Sequence, residues 1–241
     1  EALDRDWSEI DDQRLSDKDA NAPKTMNTHL HILEPYSNLY RVDPSAELRD
    51  RLESLTRLFL HKIINPGTGH FDLFFTRDWS RQSEIHSYGH DIEGAWLLHE
   101  AAELIGDPSL TREVERASER LVEVTLNEGT DHDGSLFNES EDGVLDTDKH
   151  WWPQAEAMVG YLDAYEITGN SAYLAECLRV WDFIKSYLID REQGEWYWRV
   201  NIDGMPVETD DKAGFWKCPY HNSRALMETL RRIEQITNEN D

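Results

Sequence analysis

Several features that define common protein classes are scarce in this chain. It has two cysteines and seven lysines in 241 residues, and no stretch approaches the roughly 18 consecutive apolar residues of a membrane span. Two cysteines cannot build a disulfide framework, and no cysteine–histidine cluster has zinc-finger spacing. These absences argue against a disulfide-stabilised secreted domain, a zinc finger and a membrane protein. We expect a reducing, cytoplasmic compartment.

Positive charge is also scarce. The chain has 49 acidic and 24 basic side chains, which gives a formal net charge of −25. Nucleic acid is a polyanion that this charge would repel, so it is not an expected partner. The acidity fits either a halophilic protein from a salt-rich habitat or an ordinary acidic surface. The sequence leaves both explanations open.

The chain does contain a series of amphipathic helices. We predict helices at 24–42, 45–64, 88–105, from the turn at 106–108 to about 126, and at 152–168, 172–189 and 219–237. Strand or loop segments are predicted at 70–79, 128–149 and 195–200. Residues 1–22 lack periodicity and are predicted to form an N-terminal tail or loop. Residues 23–241 would then form one domain.

Four of these helices carry polar and aromatic motifs at a nearly constant interval. His31 to His90 is 59 residues, His90 to Glu156 is 66, and Glu156 to His221 is 65. Repeats of this size built from helix pairs predict a ring or solenoid with the motif-bearing helices inside. The predicted fold is therefore all-α, a partial α/α toroid of about seven helices with short β-hairpins in the loops.

The first two motif helices each offer one histidine to a shared cavity. Asn27 and His31 lie on one polar face, whereas His29 points about 200° away around the helix. His90 and Glu93 share a face at a spacing of three, either as a surface pair or as a histidine oriented by a carboxylate. His86 lies four residues before His90, but the carboxylate spacing of a zinc-protease helix is absent, so we expect no metal.

The last motif helix begins near Pro219, a residue suited to a first helical turn. His221 then lies in the opening turn, where the positive helix end disfavours imidazolium. The sequence therefore predicts a neutral His221 that acts as a base. The tandem Trp151 and Trp152 suggest either core packing or a platform for the apolar face of a sugar ring.

Histidines from three predicted inner helices indicate acid–base chemistry, because histidine gains and loses a proton near neutral pH. A reaction that needs several such groups is proton exchange next to a sugar carbonyl. The segments MNTHLH (26–31), YGHDIE (88–93), KHWWPQAE (149–156) and WKCPYHNSR (216–224) resemble, in order, motifs of the cellobiose 2-epimerases. These belong to the N-acylglucosamine 2-epimerase superfamily, and the CPYHN form points to its disaccharide branch.

This resemblance implies an (α/α)6 barrel with no metal or nucleotide cofactor. It implies reversible epimerisation at C2 of the reducing-end glucose of cellobiose or lactose to mannose, through a cis-enediolate. By position, His31 would assist ring opening, His90 and His221 would be the two proton-transfer groups, and Glu93 would support His90. The residues expected to hold the sugar are Asn27, Trp152, Glu156, Trp216 and Arg224.

Length is where the chain departs from that pattern. Six helix pairs at this period need on the order of 380 residues. We therefore expect a fragment, a natural partial barrel, or a barrel completed by a second chain, most simply as a homodimer, because open flanks expose apolar surface. Three alternatives stay open: a carbohydrate-binding remnant without turnover, a subunit with idle histidines, and a monosaccharide aldose–ketose isomerase.

Overall fold

The computed structural model describes residues 2–14, 16 and 19–239. They divide into two compact units: residues up to His86 together with Leu97–Val114, and Ser87–Trp96 together with the chain from Glu115 onward. The described residues form seven α-helices: α1 (Met26–Val42), α2 (Ala46–Leu58), α3 (Tyr88–Ile105), α4 (Pro108–Glu128), α5 (Trp151–Thr168), α6 (Ser171–Phe183) and α7 (Tyr220–Glu239). None of the helices in this described part is long and apolar enough to cross a membrane.

Short strands lie in the connections between the helices. They are β1 (Lys24–Thr25), β2 (Phe74–Phe75), β3 (Ile85–Ser87), β4 (Glu139–Glu141), β5 (Val144–Asp146), β6 (Lys149–His150) and β7 (Arg199–Val200). The antiparallel pairs β1 with β2 and β6 with β7 tie loop segments to the starts of α1 and α5. A third antiparallel pair, β4 with β5, forms a hairpin within the loop between α4 and α5. The predicted strand character of 70–79, 128–149 and 195–200 is confirmed, although each strand is only two or three residues long.

The predicted helices are confirmed, and the bounds of α3 match the prediction at both ends. The prediction was wrong at the C-terminal ends of α2 and α6, where it continued the α-helix. The structure instead has π-helical turns there, at Phe59–Ile63 and Ile184–Leu188. In each, a backbone N–H bonds to the carbonyl five residues earlier. The apolar spacing that marks a helix does not reveal this change, because the buried side chains keep nearly the same face.

Side-chain caps explain where several helices begin. Thr25 and Ser45 accept the backbone N–H of the residue three positions on, at 3.1 and 3.3 Å. These bonds satisfy donors that the first helical turn leaves unpaired. The start of α1 was predicted two residues too early, since residues 24 and 25 form β1. The helix then continues through Pro35 to Val42.

In the second unit, α5 is buried along most of its length and passes very close to α3. A Cβ on Gly160 would lie 2.4 Å from Ile92 Cγ1 and 2.9 Å from the Ile92 carbonyl oxygen. A larger residue at 160 would therefore force the helices apart. This close approach brings polar side chains of α3 and α5 into one buried layer.

Candidate active site

The second unit gathers predicted site residues from three helices. The N-terminal half of α3 carries His90 and Glu93, α5 carries Trp152 and Glu156, and α7 carries His221 and Arg224. Asn27 and His31 lie on α1, which belongs to the first unit.

The most tightly held histidine is His221. Its Nδ1 lies 2.7 Å from Oε1 of the fully buried Glu156. The other carboxylate oxygen, Oε2, accepts a hydrogen bond of 3.0 Å from the indole N–H of Trp96. Because an ionised carboxylate can only accept a hydrogen bond, the neutral His221 ring carries its proton on Nδ1 and its lone pair on Nε2.

Arg224 joins the carboxylates of two different helices. Its Nη2 lies 2.6 Å from Glu93 Oε1 and 2.7 Å from Glu156 Oε1. Its guanidinium also lies over the rings of Tyr220 and Trp96, at 4.4 and 5.0 Å from their centroids. Two carboxylates, one guanidinium and a protonated imidazole sum to zero formal charge, so the cluster is neutral when His221 is protonated.

This environment corrects the prediction of a neutral His221. Burial lowers the pKa of His221, but the hydrogen bond and charge of Glu156 and the charge of Glu93 raise it by more. The net effect is a pKa above the usual 6.5. Burial raises the pKa of Glu156, but Arg224 and His221 outweigh it and hold that pKa well below its usual value. The charges of Glu93 and Glu156 therefore affect the pKa of His221 more than the positive helix end on which the sequence prediction was based.

The same residues offer three potential metal-ligand atoms. One atom each from Glu93, Glu156 and His221 lies within 4.8 Å of the others. A metal ion would have to displace the Arg224 guanidinium, which already contacts both carboxylates. The donor set therefore fits an ion-pair network better than a metal centre.

Trp152 connects the two predicted proton-transfer histidines. Its ring centroid lies 4.7 Å from that of His90 and 5.6 Å from that of His221. A Cβ on Gly89 would lie 2.5 Å from the Trp152 ring, so this glycine allows the indole to lie against the start of α3. Trp151 is buried and packs on Trp198. One tryptophan of the tandem pair thus serves the core, and the other borders the site.

Sequence reasoning missed two neighbours of the site. Trp96 binds Glu156, and the buried hydroxyl of Ser87 lies 2.8 Å from His90 Nδ1. Ser87 lies three positions before His90, and Trp96 lies three positions after Glu93, so each is a close neighbour of one member of the predicted pair. Extending the His90–Glu93 pattern one step in each direction would have found both.

The segment that leads into α7 is held in place by a buried lysine and exposes two aromatic side chains to solvent. Lys217 is buried, and its Nζ lies 2.9 Å from Glu195 Oε1, which also accepts a hydrogen bond of 2.8 Å from Asn222. Trp216 is 54% exposed and meets the exposed Phe215 edge to face, with ring centroids 4.9 Å apart. The anchored backbone therefore presents aromatic surface to solvent just before His221.

In the first unit, α1 places Asn27 and His31 as follows. The Asn27 Oδ1 atom is buried and has no hydrogen-bond partner among the described residues. His31 has a side chain 41% exposed, with Nδ1 4.0 Å from Glu34 Oε2. His29 instead lies 2.6 Å from the Thr25 carbonyl oxygen and packs against Trp79, which agrees with its predicted position away from His31.

Comparison with known proteins gives a consistent result. The model of the N-acylglucosamine 2-epimerase family matches residues 1–225. The cellobiose 2-epimerase of Bacteroides fragilis is 49% identical over 232 residues, covering 95% of this chain and 59% of the relative. The structure of a sugar epimerase from a ruminal bacterium has a TM-score of 0.92 and 35% sequence identity, and the match covers 95% of this chain and 59% of that structure. The structure of the cellobiose 2-epimerase of Bacillus thermoamylovorans has a TM-score of 0.89 and 40% sequence identity, and the match covers 95% of this chain and 58% of that structure.

These likenesses confirm the predicted fold class, an incomplete (α/α)6 barrel. The chain spans about 59% of the length of the relatives it matches.

Proposed function

Because the chain belongs to the N-acylglucosamine 2-epimerase family, we propose that it carries the proton-transfer part of a disaccharide 2-epimerase. The substrate class is a β-1,4-linked disaccharide such as cellobiose or lactose, whose reducing-end glucose is converted reversibly to mannose. The 49% identity to a cellobiose 2-epimerase supports this choice. The monosaccharide isomerase alternative has no comparable support.

The observation that carries the proposal is the arrangement of two imidazoles about one indole. His90 and His221 come from different helices and both contact Trp152. Inversion at C2 needs a group that removes a proton from one face and a group that returns one to the other. A binding module would need the aromatic ring but neither histidine.

The proposed chemistry starts from the open-chain aldehyde form of the sugar. A neutral histidine Nε2 takes the C2 proton, the C–H electron pair forms the C1–C2 double bond, and the carbonyl oxygen takes the negative charge. The second, protonated histidine delivers its proton to the opposite face of C2, and the carbonyl forms again. Which histidine acts first depends on whether the glucose or the mannose epimer is bound.

The charge cluster supplies the proton for this exchange. With Glu156 and Glu93 ionised and Arg224 in place, protonating His221 brings the cluster to zero formal charge, so the imidazolium is favoured. The enediolate that forms beside it is an anion, and a fixed cation stabilises it in a buried site. The Nδ1 bond to Glu156 keeps the His221 ring aligned while Nε2 gains and loses the proton.

The remaining predicted residues are assigned to the sugar. Trp152 and the exposed Trp216 offer flat apolar faces for the pyranose rings, and the unpartnered Asn27 Oδ1 can accept a hydroxyl. His31, on α1, is assigned to opening of the reducing-end ring. These assignments rest on residue chemistry and motif position.

We further propose that the barrel is completed by self-association. Met227, Leu230 and Ile233 form an exposed apolar stripe on α7. Such a stripe usually marks an interaction surface. The partner chain would then contribute a wall to the sugar cavity.

Proton NMR of the purified chain with cellobiose in deuterated water tests the function. Glucosyl-mannose with deuterium at C2 is the expected product. Saturation transfer from protein to sugar without exchange would replace the proposal by a binding role. Absence of both binding and exchange would contradict it.

A further inference from the structure

Glu195 contacts the sequence neighbours of two predicted site residues with a single oxygen atom. Its Oε1 lies 2.9 Å from Nζ of Lys217 and accepts a hydrogen bond of 2.8 Å from the side-chain amide of Asn222. Lys217 directly follows Trp216 in the chain. Asn222 directly follows His221, in the first turn of α7. One carboxylate thus joins the segment that carries Trp216 to the helical turn that carries His221.

The two partners of Glu195 are buried, and one of them is a cation. The Lys217 side chain is 1% exposed, whereas that of Glu195 is 34% exposed. Burying an ammonium group is costly unless an opposite charge is close to it. Within the described part of the chain, Glu195 is the carboxylate that pairs with Lys217, and the Lys212 carbonyl accepts a second hydrogen bond of 2.8 Å. Loss of the Glu195 carboxylate would therefore leave a buried cation with a neutral acceptor.

The backbone at Glu195 has a conformation that disfavours this residue type. Its φ is 64°, in the left-handed region where a side chain meets steric conflict and glycine is preferred. The preceding residue, Gly194, is in the same region with a φ of 78°. Turn geometry alone would therefore favour glycine at both positions. The contacts with Lys217 and Asn222 give the Glu195 side chain a role that offsets this strain.

The site contact next to this network is sensitive to small displacements. His221 Nδ1 lies 2.7 Å from Glu156 Oε1, and a shift of about 1 Å would break such a hydrogen bond. Asn222 and His221 share the first turn of α7. The bond from Asn222 to Glu195 therefore limits the movement of that turn, and with it the movement of the His221 ring.

We propose that Glu195 is a positioning residue, which fixes the first turn of α7 and thereby the contact of His221 with Glu156. Through Lys217, the same carboxylate holds the segment of Trp216 next to this turn. The catalytic meaning rests on the proposed epimerase function, in which His221 exchanges the C2 proton. The dependence of the His221 contact on Glu195 is a property of the chain itself and does not require a sugar.

The test is titration of the His221 ring protons by NMR, with the signals assigned by their loss in His221→Asn. Burial lowers the pKa of His221 and its contact with Glu156 raises it, so loss of the contact lowers the midpoint. Glu195→Gly removes the side chain but suits the backbone, because glycine adopts this φ without strain. It should lower both the His221 midpoint and the urea concentration at half-unfolding. An unchanged His221 midpoint would overturn the proposal, and so would a gain in stability, which turn geometry alone predicts.

Two further variants separate the contacts of Glu195 from its charge. Glu195→Gln keeps an acceptor oxygen but loses the charge, so its His221 midpoint should lie between those of the native chain and Glu195→Gly. Glu192→Gln is the matched control, since Glu192 is exposed three residues earlier and its loss leaves both contacts in place. Its His221 midpoint should be native, and a fall equal to that in Glu195→Gly would refute positioning. If Glu195→Gly does not fold, the midpoint in Glu195→Gln decides: a fall supports the proposal and a native value overturns it.

A kinetic measurement separates this proposal from the proposed function. Where the native chain exchanges the C2 proton, Glu195→Gly should lower kcat roughly 10-fold or more, because proton transfer depends on alignment. Glu192→Gln should keep the native kcat. If the native chain shows no exchange but the His221 midpoint depends on Glu195, the function fails and the positioning inference stands. An unchanged kcat in an active Glu195→Gly chain would overturn the positioning role.

Discussion

Glu156 and His221 are 65 positions apart in the chain, and the carboxylate of one lies 2.7 Å from Nδ1 of the other inside the second unit. This bond links α5 to the start of α7 and, together with the charge of Glu93, raises the pKa of His221. The contact with Arg224 extends it to α3.

The first prediction concerns the titration of His221. Its ring proton signals should titrate with a midpoint above that of free histidine, because Glu156 and Glu93 favour imidazolium. Glu156→Gln removes one negative charge but preserves shape, and should lower the midpoint. A midpoint at or below the free value in the native chain would contradict this account of the cluster.

The same shift makes stability depend on pH. A histidine whose folded pKa lies above its unfolded value stabilises the fold at low pH, and this contribution is lost as pH rises through the folded pKa. Glu156 has a lowered pKa, so its contribution is present above its usual 4.5 and is lost as pH falls through the folded value. Urea unfolding of the native chain and His221→Asn should therefore differ most between about pH 4.5 and 6.5, and less in alkaline buffer.

Arg224 is predicted to contribute strongly to the stability of the second unit. Arg224→Met removes the positive charge from two buried carboxylates, and such a loss costs about 3–5 kcal/mol of unfolding free energy. Arg231→Met on the same helix removes an exposed pairing with Glu228 and should cost about 1 kcal/mol or less. Urea unfolding of both variants measures this difference. Equal losses of unfolding free energy would contradict the proposed role of Arg224 in pairing the buried carboxylates.

Gly89 should not tolerate a side chain. In Gly89→Ala the Cβ would lie 2.5 Å from the Trp152 ring and 2.9 Å from Pro153 Cγ, so the indole must move. We expect a loss of about 1–3 kcal/mol and a changed near-ultraviolet circular dichroism spectrum. Gly214→Ala is the control, since its Cβ would meet nothing closer than 4.0 Å. A native-like spectrum and stability for Gly89→Ala would refute the tight fit.

Much of the helical framework could be predicted from the sequence. Apolar spacing gave both ends of α3 because the pattern there is long and bounded by a turn at Gly106. It failed at the π-helical turns after α2 and α6, where the hydrogen-bond pattern changes while the buried face does not. The paired loop strands were placed only approximately, because two-residue strands carry almost no periodicity.

The sequence motifs named the residues that the structure brings together in the second unit, but they did not predict the contacts between those residues. Glu156 was expected among the residues that hold the sugar, and its bond to His221 depends on a tertiary contact that spacing does not encode. For the same reason, the sequence predicted a neutral His221, whereas the surrounding carboxylates raise the pKa of this histidine. A helix end was visible in the sequence, whereas the carboxylates that outweigh it come from α3 and α5.

Self-association should depend on salt and on the α7 stripe. Each chain carries a net charge of −25, so repulsion between copies weakens as salt screens it. Sedimentation velocity should show a dimer at moderate salt that dissociates at low salt. Leu230→Asp should shift the native chain toward monomer, and Ile202→Asp, on an exposed loop, should not. A monomer at all salt concentrations would contradict the proposed dimer.

The central claim is that His90 and His221 act on opposite faces of C2. The most direct measurement is deuterium exchange at C2 in the separate variants His90→Asn and His221→Asn, each supplied with cellobiose and with glucosyl-mannose. Both variants should lose epimerisation, and each should still exchange the C2 proton of one epimer, a different one in each case. If either variant still converts glucose to mannose, or if both exchange the same epimer, the two-histidine account is wrong.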